Sequence, residues 1–446
     1  MRRHLTNAGY GVLDYVSYPA GMLLVAPIVL HKLGAAEYGL WMIATSVISA
    51  GGIVASGFCD ACIQRIAYLR GAGKLDAAPR AIRTMLAINI AFGCLLALGV
   101  WTAAPFAALH VAVSRLTPPA ECLISFRIAS VAILVRAIES LAVGVQRAFE
   151  QYRDTVRIST AMRLLTLGCA AVLALLGMRT VSILVAATLF LVLCALAQFR
   201  ELCRLTGYSS FWPRFYAGET RILLGQGFFV WLQALGGVAF GQLDRILLGV
   251  YLGDLAVTPY SLCVQFANPI YGLNASGLSF LFPYFSARAG ANSRTGLNRV
   301  LRKALACNLI LVAMGAGLLL AVGDRLIVIW AGAAVAQSAA GILPPIVLGS
   351  ALMGLSVTGT YALQALGKFR TVACISLAGR AAMLLLMLDL LRRHGLEGMA
   401  ISRLGFGSVA LLVYLPLLRQ LSVTKRERVS TSALTMPIEA QEASKP

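Results

Sequence analysis

The stretch NAGYGVLDYVSY (residues 7–18) indicates the fold once it is compared with QGFFVWLQALGG (residues 226–237). Adding 219 to three positions of the first stretch gives three positions of the second, pairing Asn7 with Gln226, Asp14 with Gln233 and Tyr18 with Gly237. In each stretch these residues share one face of an apolar helix. The two halves of the chain are therefore predicted to be copies of one another.

The repeat continues beyond these helices at a nearly constant offset. An offset of 219 also pairs Gly34 with Gly253, Arg83 with Arg302 and Asn89 with Asn308, and an offset of 220 pairs Thr45 with Gln265, Gly52 with Gly272 and Ser56 with Ser276. Each copy holds an even number of apolar spans, so both copies enter the membrane in the same sense and form a parallel repeat. We expect residues 1–205 and 206–423 to form two lobes with a cleft between them.

The composition places the chain in a lipid bilayer. Of its 446 residues 59% are hydrophobic and 13% are charged, and the mean hydropathy is +0.81, which is too apolar for a soluble globular protein. Apolar stretches long enough to cross a ~30 Å hydrocarbon core as helices occupy approximately residues 8–30, 38–59, 84–107, 122–144, 162–178, 181–198, 222–243, 260–282, 304–323, 341–363, 373–391 and 398–418. The predicted fold is an all-α integral membrane protein with twelve transmembrane helices in two six-helix bundles. The pair 162–178 and 181–198 also fits one kinked hairpin.

The net charge of +20 reflects membrane topology rather than a nucleic-acid partner. Most of the 38 Lys and Arg residues fall in alternate connections between the spans, on the side that also holds both chain ends. Such a bias orients short loops toward the cytoplasm. The N and C termini are therefore predicted to be cytoplasmic, and residues 424–446 to form a polar, disordered tail.

Four predicted helices carry a polar or small stripe along one face. The candidates for the lining of the cleft are Asn7, Asp14, Tyr18, Thr45, Ser49, Gln226, Gln233, Asp244, Arg245, Gln265 and Asn268. Hydroxyl and small residues taken singly are more often contacts between helices than ligands. Amides and carboxylates are harder to place against lipid, because lipid offers them no hydrogen bonds. A water-filled cleft walled by helices one, two, seven and eight would accommodate all four stripes.

Charged residues at membrane depth form a second group of candidates. A charge at a helix centre costs about 2.5–3.5 kcal/mol on insertion scales. Arg136 and Glu139 stand three residues apart, so an internal pair on one helix face is as good an interpretation as a site role. Asp244 follows the polar stripe, whereas Arg245 points about 100° away and can snorkel to the interface. The secondary candidates are Arg127, Arg136, Glu139, Arg65 and Arg288.

Enzymatic and cofactor-binding motifs are missing from the sequence. Residues 71–74 (GAGK) lack the length and the Ser or Thr of a nucleotide-binding loop. The four histidines are dispersed, and Cys59 with Cys62 forms a single CxxC without a second pair, so no metal site is expected. We therefore expect a non-enzyme without cofactors, driven by a gradient, in which Asp14 and Asp244 are candidate H⁺ or Na⁺ handles.

The chain resembles the polysaccharide-flippase branch of the multidrug, oligosaccharidyl-lipid and polysaccharide exporter superfamily. The resemblance rests on the six-plus-six design, on LGAAEYGLW (residues 33–41) after the first span and on Leu252-Gly253-Asp254 through Tyr260 after the seventh. It also includes Phe282-Pro283 at the end of the eighth span and basic loops after spans two and eight.

This resemblance implies a fold, namely a V-shaped pair of bundles with alternating access, and it also implies a transport function. Such a protein would move a polyprenyl-pyrophosphate-linked oligosaccharide across the bacterial inner membrane, alongside membrane lipids and polysaccharide polymerase or export machinery. The sugar and pyrophosphate would pass through the cleft while the lipid tail stays in the bilayer. An ion-coupled exporter of small molecules on the same scaffold remains an alternative. A membrane-embedded polysaccharide polymerase or ligase is disfavoured, because the outer loops are too short to hold catalytic groups.

Overall fold

The computed structural model describes residues 2–111, 118–252, 254–291, 297–331 and 333–419, and in these ranges all regular structure is helical. The α-helices, in chain order, are α1 Arg2–Ala55, α2 Cys59–Gly71, α3 Ala78–Val111, α4 Pro119–Ala148, α5 Tyr152–Leu175, α6 Thr180–Thr206, α7 Ala217–Leu252, α8 Asp254–Gly277, α9 Leu281–Gly290, α10 Leu297–Ala331, α11 Ala333–Ala339, α12 Leu343–Ala365 and α13 Phe369–Ala410. Two 3₁₀ turns cover Leu75–Ala77 and Leu411–Val413. Residues 424–446, predicted to form a disordered tail, lie outside the described residues.

The longest helices are each two membrane crossings joined at a glycine. In α1 the backbone departs from helical geometry at Gly34, with φ 81° and ψ 169°, and in α13 it does so at Gly395, with φ 55° and ψ −130°. A positive φ is strained for residues with a Cβ, so glycine permits these sharp changes of direction without a loop.

The predicted twelve-helix fold is confirmed. Ten stretches of described residues are long and apolar enough to cross a membrane. The last of them, Phe369–Arg419, has 51 residues and includes the kink at Gly395, so it accounts for two crossings. The 24-residue helix α8 supplies the remaining one.

Matching hydrogen bonds show the internal repeat in three dimensions. The Asn89 side-chain amide on α3 donates to the Ala137 carbonyl of α4 over 2.8 Å. Its counterpart Asn308 on α10 donates to the Gly354 carbonyl of α12 over 3.0 Å. Ala137 and Gly354 are 217 residues apart, close to the offset of the asparagines. The same polar contact therefore holds the same helix pair together in each copy.

Helices of each half pack mainly on one another. In the first half α1 packs on α5, and α4 packs on α3 and α6. In the second half α12 packs on α8, α10 and α13, and α7 packs on α13. A division near residue 205 would fall in the last turn of α6, and this boundary stays a prediction.

The two halves meet at the end of the molecule that carries the basic connections. Here α2 crosses α9 so closely that a Cβ on Gly71 would overlap the Ala287 carbonyl, and a Cβ on Gly290 would overlap the Tyr68 carbonyl. Both Gly71 with Gly290 and Tyr68 with Ala287 are related by the offset of 219. We call this crossing of α2 and α9 the basic seam.

Polar contacts across the halves extend the basic seam. Arg65 of α2 makes a bidentate ion pair with Glu219 of α7, with nitrogen–oxygen distances of 2.8 and 3.1 Å. The buried Gln64 amide of α2 donates to the Ala365 carbonyl at the end of α12 over 3.4 Å. The end of α8 also lies against α1, because a Cβ on Gly11 would overlap the Ser276 carbonyl. Together these contacts close one end of the space between the bundles.

Three arginines lie further inside helices than the predicted spans place them. α5 begins at Tyr152, well before the predicted start at 162, so Arg163 lies roughly 16 Å along the helix at 1.5 Å per residue. α13 begins at Phe369, and Arg380 lies equally far along it. Arg147 belongs to the last turn of α4. Charged residues early in α5 resemble a loop in the sequence, which is why its start was predicted too late.

Candidate functional site

A cavity of 650 Å³ lies between the two bundles. It reaches the start of α2 at Asp60, whereas the crossing glycine Gly71 is at the other end of that helix. Its walls come from both arms of α1 and from α7, and α2, α12 and α13 contribute to it. We call this space the cleft. Predicted site residues that line it are Tyr18, Thr45, Ser49 and Gln233. Asp60, Gln364 and Arg380 also line it, although the sequence did not single them out for the cleft.

Two side cavities open off the cleft, one into each bundle. The cavity in the first bundle has a volume of 480 Å³ and shares Tyr18, Thr45 and Ser49 with the cleft. The cavity in the second bundle is smaller, 150 Å³, and shares Gln233 and Arg380 with the cleft. The repeat thus places a polar recess on each side of a common space.

Asp14 joins three helices of the first bundle. Its carboxylate accepts from the Arg147 guanidinium of α4 over 2.8 Å and from the Arg163 guanidinium of α5 over 2.7 Å. Arg163 also donates to the Asp14 backbone carbonyl over 2.7 Å. Charge-assisted hydrogen bonds of this length are among the strongest in proteins. Asp14 is therefore fixed between two cations and tethers α1 to α4 and α5.

The second bundle repeats this cluster with different chemistry. Gln233 stands 219 residues after Asp14, and Gln364 and Arg380 each stand 217 residues after Arg147 and Arg163. All three line the cleft. An acid and two bases in the first copy have thus become two amides and one base. The second copy keeps the cation of α13 but has no carboxylate at the position that neutralises it in the first copy.

Arg380 is the cation that this change leaves without an acidic partner. Among the described residues no carboxylate lies within ion-pairing distance of it. Its Nε is buried without a hydrogen-bond acceptor, and its guanidinium carbon lies 5.3 Å from the Phe406 ring centre. Arg380 as a whole is half-buried. Keeping a cation at membrane depth without a counter-charge raises the free energy of the folded protein. The cleft beside it offers room for water or for an anion.

Arg380 lies within the predicted span 373–391 but is absent from the charged candidates at membrane depth. The internal repeat contains the signal that identifies it. Arg163 and Arg380 occupy the same position in α5 and α13, eleven residues after the first residue of each helix. Comparing α5 with α13 in the two halves of the sequence therefore pairs Arg163 with Arg380 and identifies both as residues within a span.

Asp244 lies inside the second bundle. It is 5% exposed, accepts from Arg403 over 3.1 Å and accepts from the Tyr260 hydroxyl over 3.1 Å. Neither the cleft nor the two side cavities includes it. Asp244 thus connects α7 to α8 and α13, as Asp14 connects helices of the first bundle.

The remaining candidates are spread over the molecule. Asn7 is buried. The Gln226 amide lies beside Gly367, as does the amide of Gln64 at the basic seam. Gln265 and Asn268 are exposed on α8, outside the lining of the cleft. The side chain of Arg245 lies outside the described part of the structure. On α8, Gly272 faces the Tyr15 hydroxyl and Ser276 faces Gly11, so this part of the predicted stripe packs on α1.

The secondary charged candidates all have neighbours. Arg136 donates to Glu139 over 3.1 Å and also lines the cavity of the first bundle. Arg127 lies 4.8 Å from the centre of the exposed Trp101 ring on α3. Arg65 pairs with Glu219 at the basic seam, and the Arg288 guanidinium lies 5.0 Å from the Tyr284 ring centre. No group of three or more potential ligands for a metal ion occurs among the described residues.

Comparison with known proteins agrees with this architecture. A family described as "Polysaccharide biosynthesis protein" matches residues 32–338, more than half of the chain. The chain belongs to this polysaccharide biosynthesis family. No curated protein sequence matches it.

Solved structures extend the likeness of this family member to MATE transporters. A mutant of the Vibrio cholerae MATE transporter VcmN is 17% identical with a TM-score of 0.78, and the match covers 94% of this chain and 97% of that one. The eukaryotic MATE transporter AtDTX14 is 14% identical with a TM-score of 0.77, over 96% and 98% of the two chains. An outward-facing MATE family transporter of the MOP superfamily is 13% identical with a TM-score of 0.77, over 95% and 98%. At these identities the likeness shows the fold, while the family match over residues 32–338 confirms the resemblance to polysaccharide-biosynthesis proteins.

Proposed function

We propose that this member of the polysaccharide biosynthesis family flips an anionic, polyprenyl-diphosphate-linked oligosaccharide across a membrane by alternating access. The observation that carries the proposal is Arg380, which lines the cleft between the two bundles and has no carboxylate at ion-pairing distance among the described residues. A diphosphate supplies the missing negative charge and accepts hydrogen bonds from the guanidinium group in a bidentate manner. Gln233 and Gln364 can donate further hydrogen bonds from their amides.

The distribution of charge sets the proposed orientation. With the basic connections on the cytoplasmic side of a bacterial inner membrane, the basic seam closes the cytoplasmic end and the cleft faces outward. The polyprenyl chain would remain among membrane lipids, and polymerase or export machinery would receive the sugar unit. Coupling to H⁺ or Na⁺ through Asp14 or Asp244 stays a prediction. Any such ion would compete with the arginines that already bind both carboxylates.

The competing function is export of small molecules or drugs, which the MATE-like fold also accommodates. The lining of the cleft carries one acid, Asp60, and one base, Arg380. An anionic headgroup would bind at Arg380, whereas a cationic compound would bind at Asp60. We favour the anionic substrate because Gln233 and Gln364, which line the same cleft, can add amide donors to the guanidinium group.

A reconstituted system tests the proposed function. We expect the purified chain in liposomes to expose polyprenyl-diphosphate-linked oligosaccharide to an external glycosidase. The Arg380→Gln variant should do so at least about tenfold more slowly, because a charge-assisted hydrogen bond contributes about 1.5–3 kcal/mol. Arg380→Lys should retain part of the rate, and Arg392→Gln, at an exposed position of α13, should match the wild type. Transport of a cationic dye without transport of the lipid would favour the alternative function.

The ion pair across the basic seam yields a second prediction. Replacing Glu219 with Gln removes a bidentate partner whose side chain is 11% exposed, so the seam should open more often. In a chain freed of native cysteines, a Gln64→Cys reporter should react roughly five- to tenfold faster with an impermeant maleimide. The double reversal Arg65→Glu with Glu219→Arg should restore slow labelling. Equal labelling rates in all three chains would contradict a role for this pair in closure.

A further inference from the structure

The cavity inside the first bundle differs chemically from the surroundings of Arg380. Tyr15, Tyr18 and Trp41 provide aromatic surface, and the walls also carry the hydroxyl groups of Thr45, Thr166 and Thr188. We propose that this cavity is the sugar subsite, distinct from the diphosphate subsite at Arg380. This inference rests on the proposed function and divides its substrate between the two halves of the protein.

Three threonine hydroxyl groups of the cavity act as acceptors. Thr45 donates its hydrogen to the Trp41 carbonyl over 2.9 Å, Thr166 to the Met162 carbonyl over 2.7 Å and Thr188 to the Leu184 carbonyl over 2.8 Å. A hydroxyl that has donated its only hydrogen still accepts through its lone pairs. A ligand that binds to these three threonine hydroxyls must therefore bring donors. Sugar hydroxyls donate, whereas the oxygens of an ionised diphosphate only accept.

The charges beside this cavity are already paired. Asp14 is held by Arg147 and Arg163, and Arg136 is held by Glu139. Together these five side chains leave one net positive charge spread over a hydrogen-bonded cluster. Arg380, in contrast, has no carboxylate partner within the described part of the chain. An anion gains more beside Arg380, and a neutral polyol fits better beside the paired cluster.

The size and position of the cavity suit a ligand that enters from the cleft. Its volume of 480 Å³ falls within the roughly 300–1,000 Å³ of small-ligand sites. Tyr18, Thr45 and Ser49 border both spaces, so one ligand can occupy them together. Aromatic rings offer apolar faces on which the C–H groups of a sugar ring pack. A sugar in the first bundle thereby remains attached to a diphosphate at the second.

Equilibrium binding to the purified full chain tests this division. The two probes are polyprenyl diphosphate carrying N-acetylglucosamine and bare polyprenyl diphosphate. We expect the wild type to bind the sugar-bearing probe at least about tenfold more tightly. Ala187→Phe, which fills the cavity, should reduce that affinity to the level of the bare probe and leave binding of the bare probe unchanged. Thr166→Val combined with Thr188→Val should act in the same direction without adding volume.

The controls separate this inference from the proposed function. Ala186→Phe, one residue earlier on α6 and outside the cavity lining, should retain the preference for the sugar-bearing probe. Arg380→Gln should weaken both probes by a similar factor. Equal binding of both probes by the wild type, or an equal loss of both in Ala187→Phe, overturns the sugar subsite alone. Failure of the wild type to bind either probe overturns the proposed function.

Discussion

We expect Gln233→Asp to abolish transport of a diphosphate-linked substrate. The substitution gives the second bundle the acid that the first bundle has at Asp14, where the carboxylate accepts from Arg163 over 2.7 Å. The new carboxylate should pair with Arg380 in the same manner, neutralise it and repel the diphosphate. Loss of one charge-assisted contact together with added repulsion costs about 2–5 kcal/mol, so binding should fall by at least about thirtyfold. The measurement is the affinity of bare polyprenyl diphosphate and the flipping rate in liposomes.

Two further variants isolate charge from shape in this experiment. Gln233→Asn has the same size as Gln233→Asp but keeps a neutral amide, and we expect it to retain most of the binding. Adding Gln364→Arg to Gln233→Asp recreates the full cluster of the first bundle, with one net positive charge, and should recover part of the affinity. If Gln233→Asp and Gln233→Asn behaved alike, Arg380 would not be the group that binds the anion.

Substitution of the crossing glycines should have an equally large effect on conformation. An alanine Cβ at Gly71 would overlap the Ala287 carbonyl, and one at Gly290 would overlap the Tyr68 carbonyl. Overpacking of this kind costs about 1–3 kcal/mol. The closed basic seam should therefore lose population by roughly 5- to 150-fold relative to the open state, and transport should slow because one of the two end states is rarely formed.

Labelling of the Gln64→Cys reporter measures this shift directly. Gln64 is 8% exposed in the closed seam, so its replacement should react rapidly only after the seam opens. Gly225→Ala is the matched control, because a Cβ at this position of α7 would have no neighbouring atom within 4 Å. Unchanged labelling in both Gly71→Ala and Gly290→Ala would mean that the helices separate by another route.

The sequence predicts the fold of this protein better than its site. Apolar length and the offset of 219 identify twelve crossings and two bundles, because the bilayer imposes helix length and hydropathy on every span. Pairing of Asn89 with Asn308 also proved informative, since both make the same interhelical hydrogen bond. These features depend on local patterns that survive in a single sequence.

The site depends on contacts that no local pattern contains. Asp14 is a polar residue within a predicted span, and its partners Arg147 and Arg163 come from positions more than 130 residues away. Arg380 lies in the first half of the predicted span 373–391, where basic residues are readily interpreted as anchors at the membrane surface. Asp244 was predicted to face the cleft from helical periodicity, yet Arg403 and Tyr260 surround it within the second bundle. Periodicity shows which residues share a face and leaves open what that face contacts.

The seam between α2 and α9 is made by main-chain atoms, and this has an evolutionary consequence. The closest approach depends on no particular side chain, because backbone carbonyls lie directly against the two glycines. Gly71 and Gly290 cannot drift, since every other residue adds a Cβ at the point of contact. Homologues that close in this way should therefore retain both glycines.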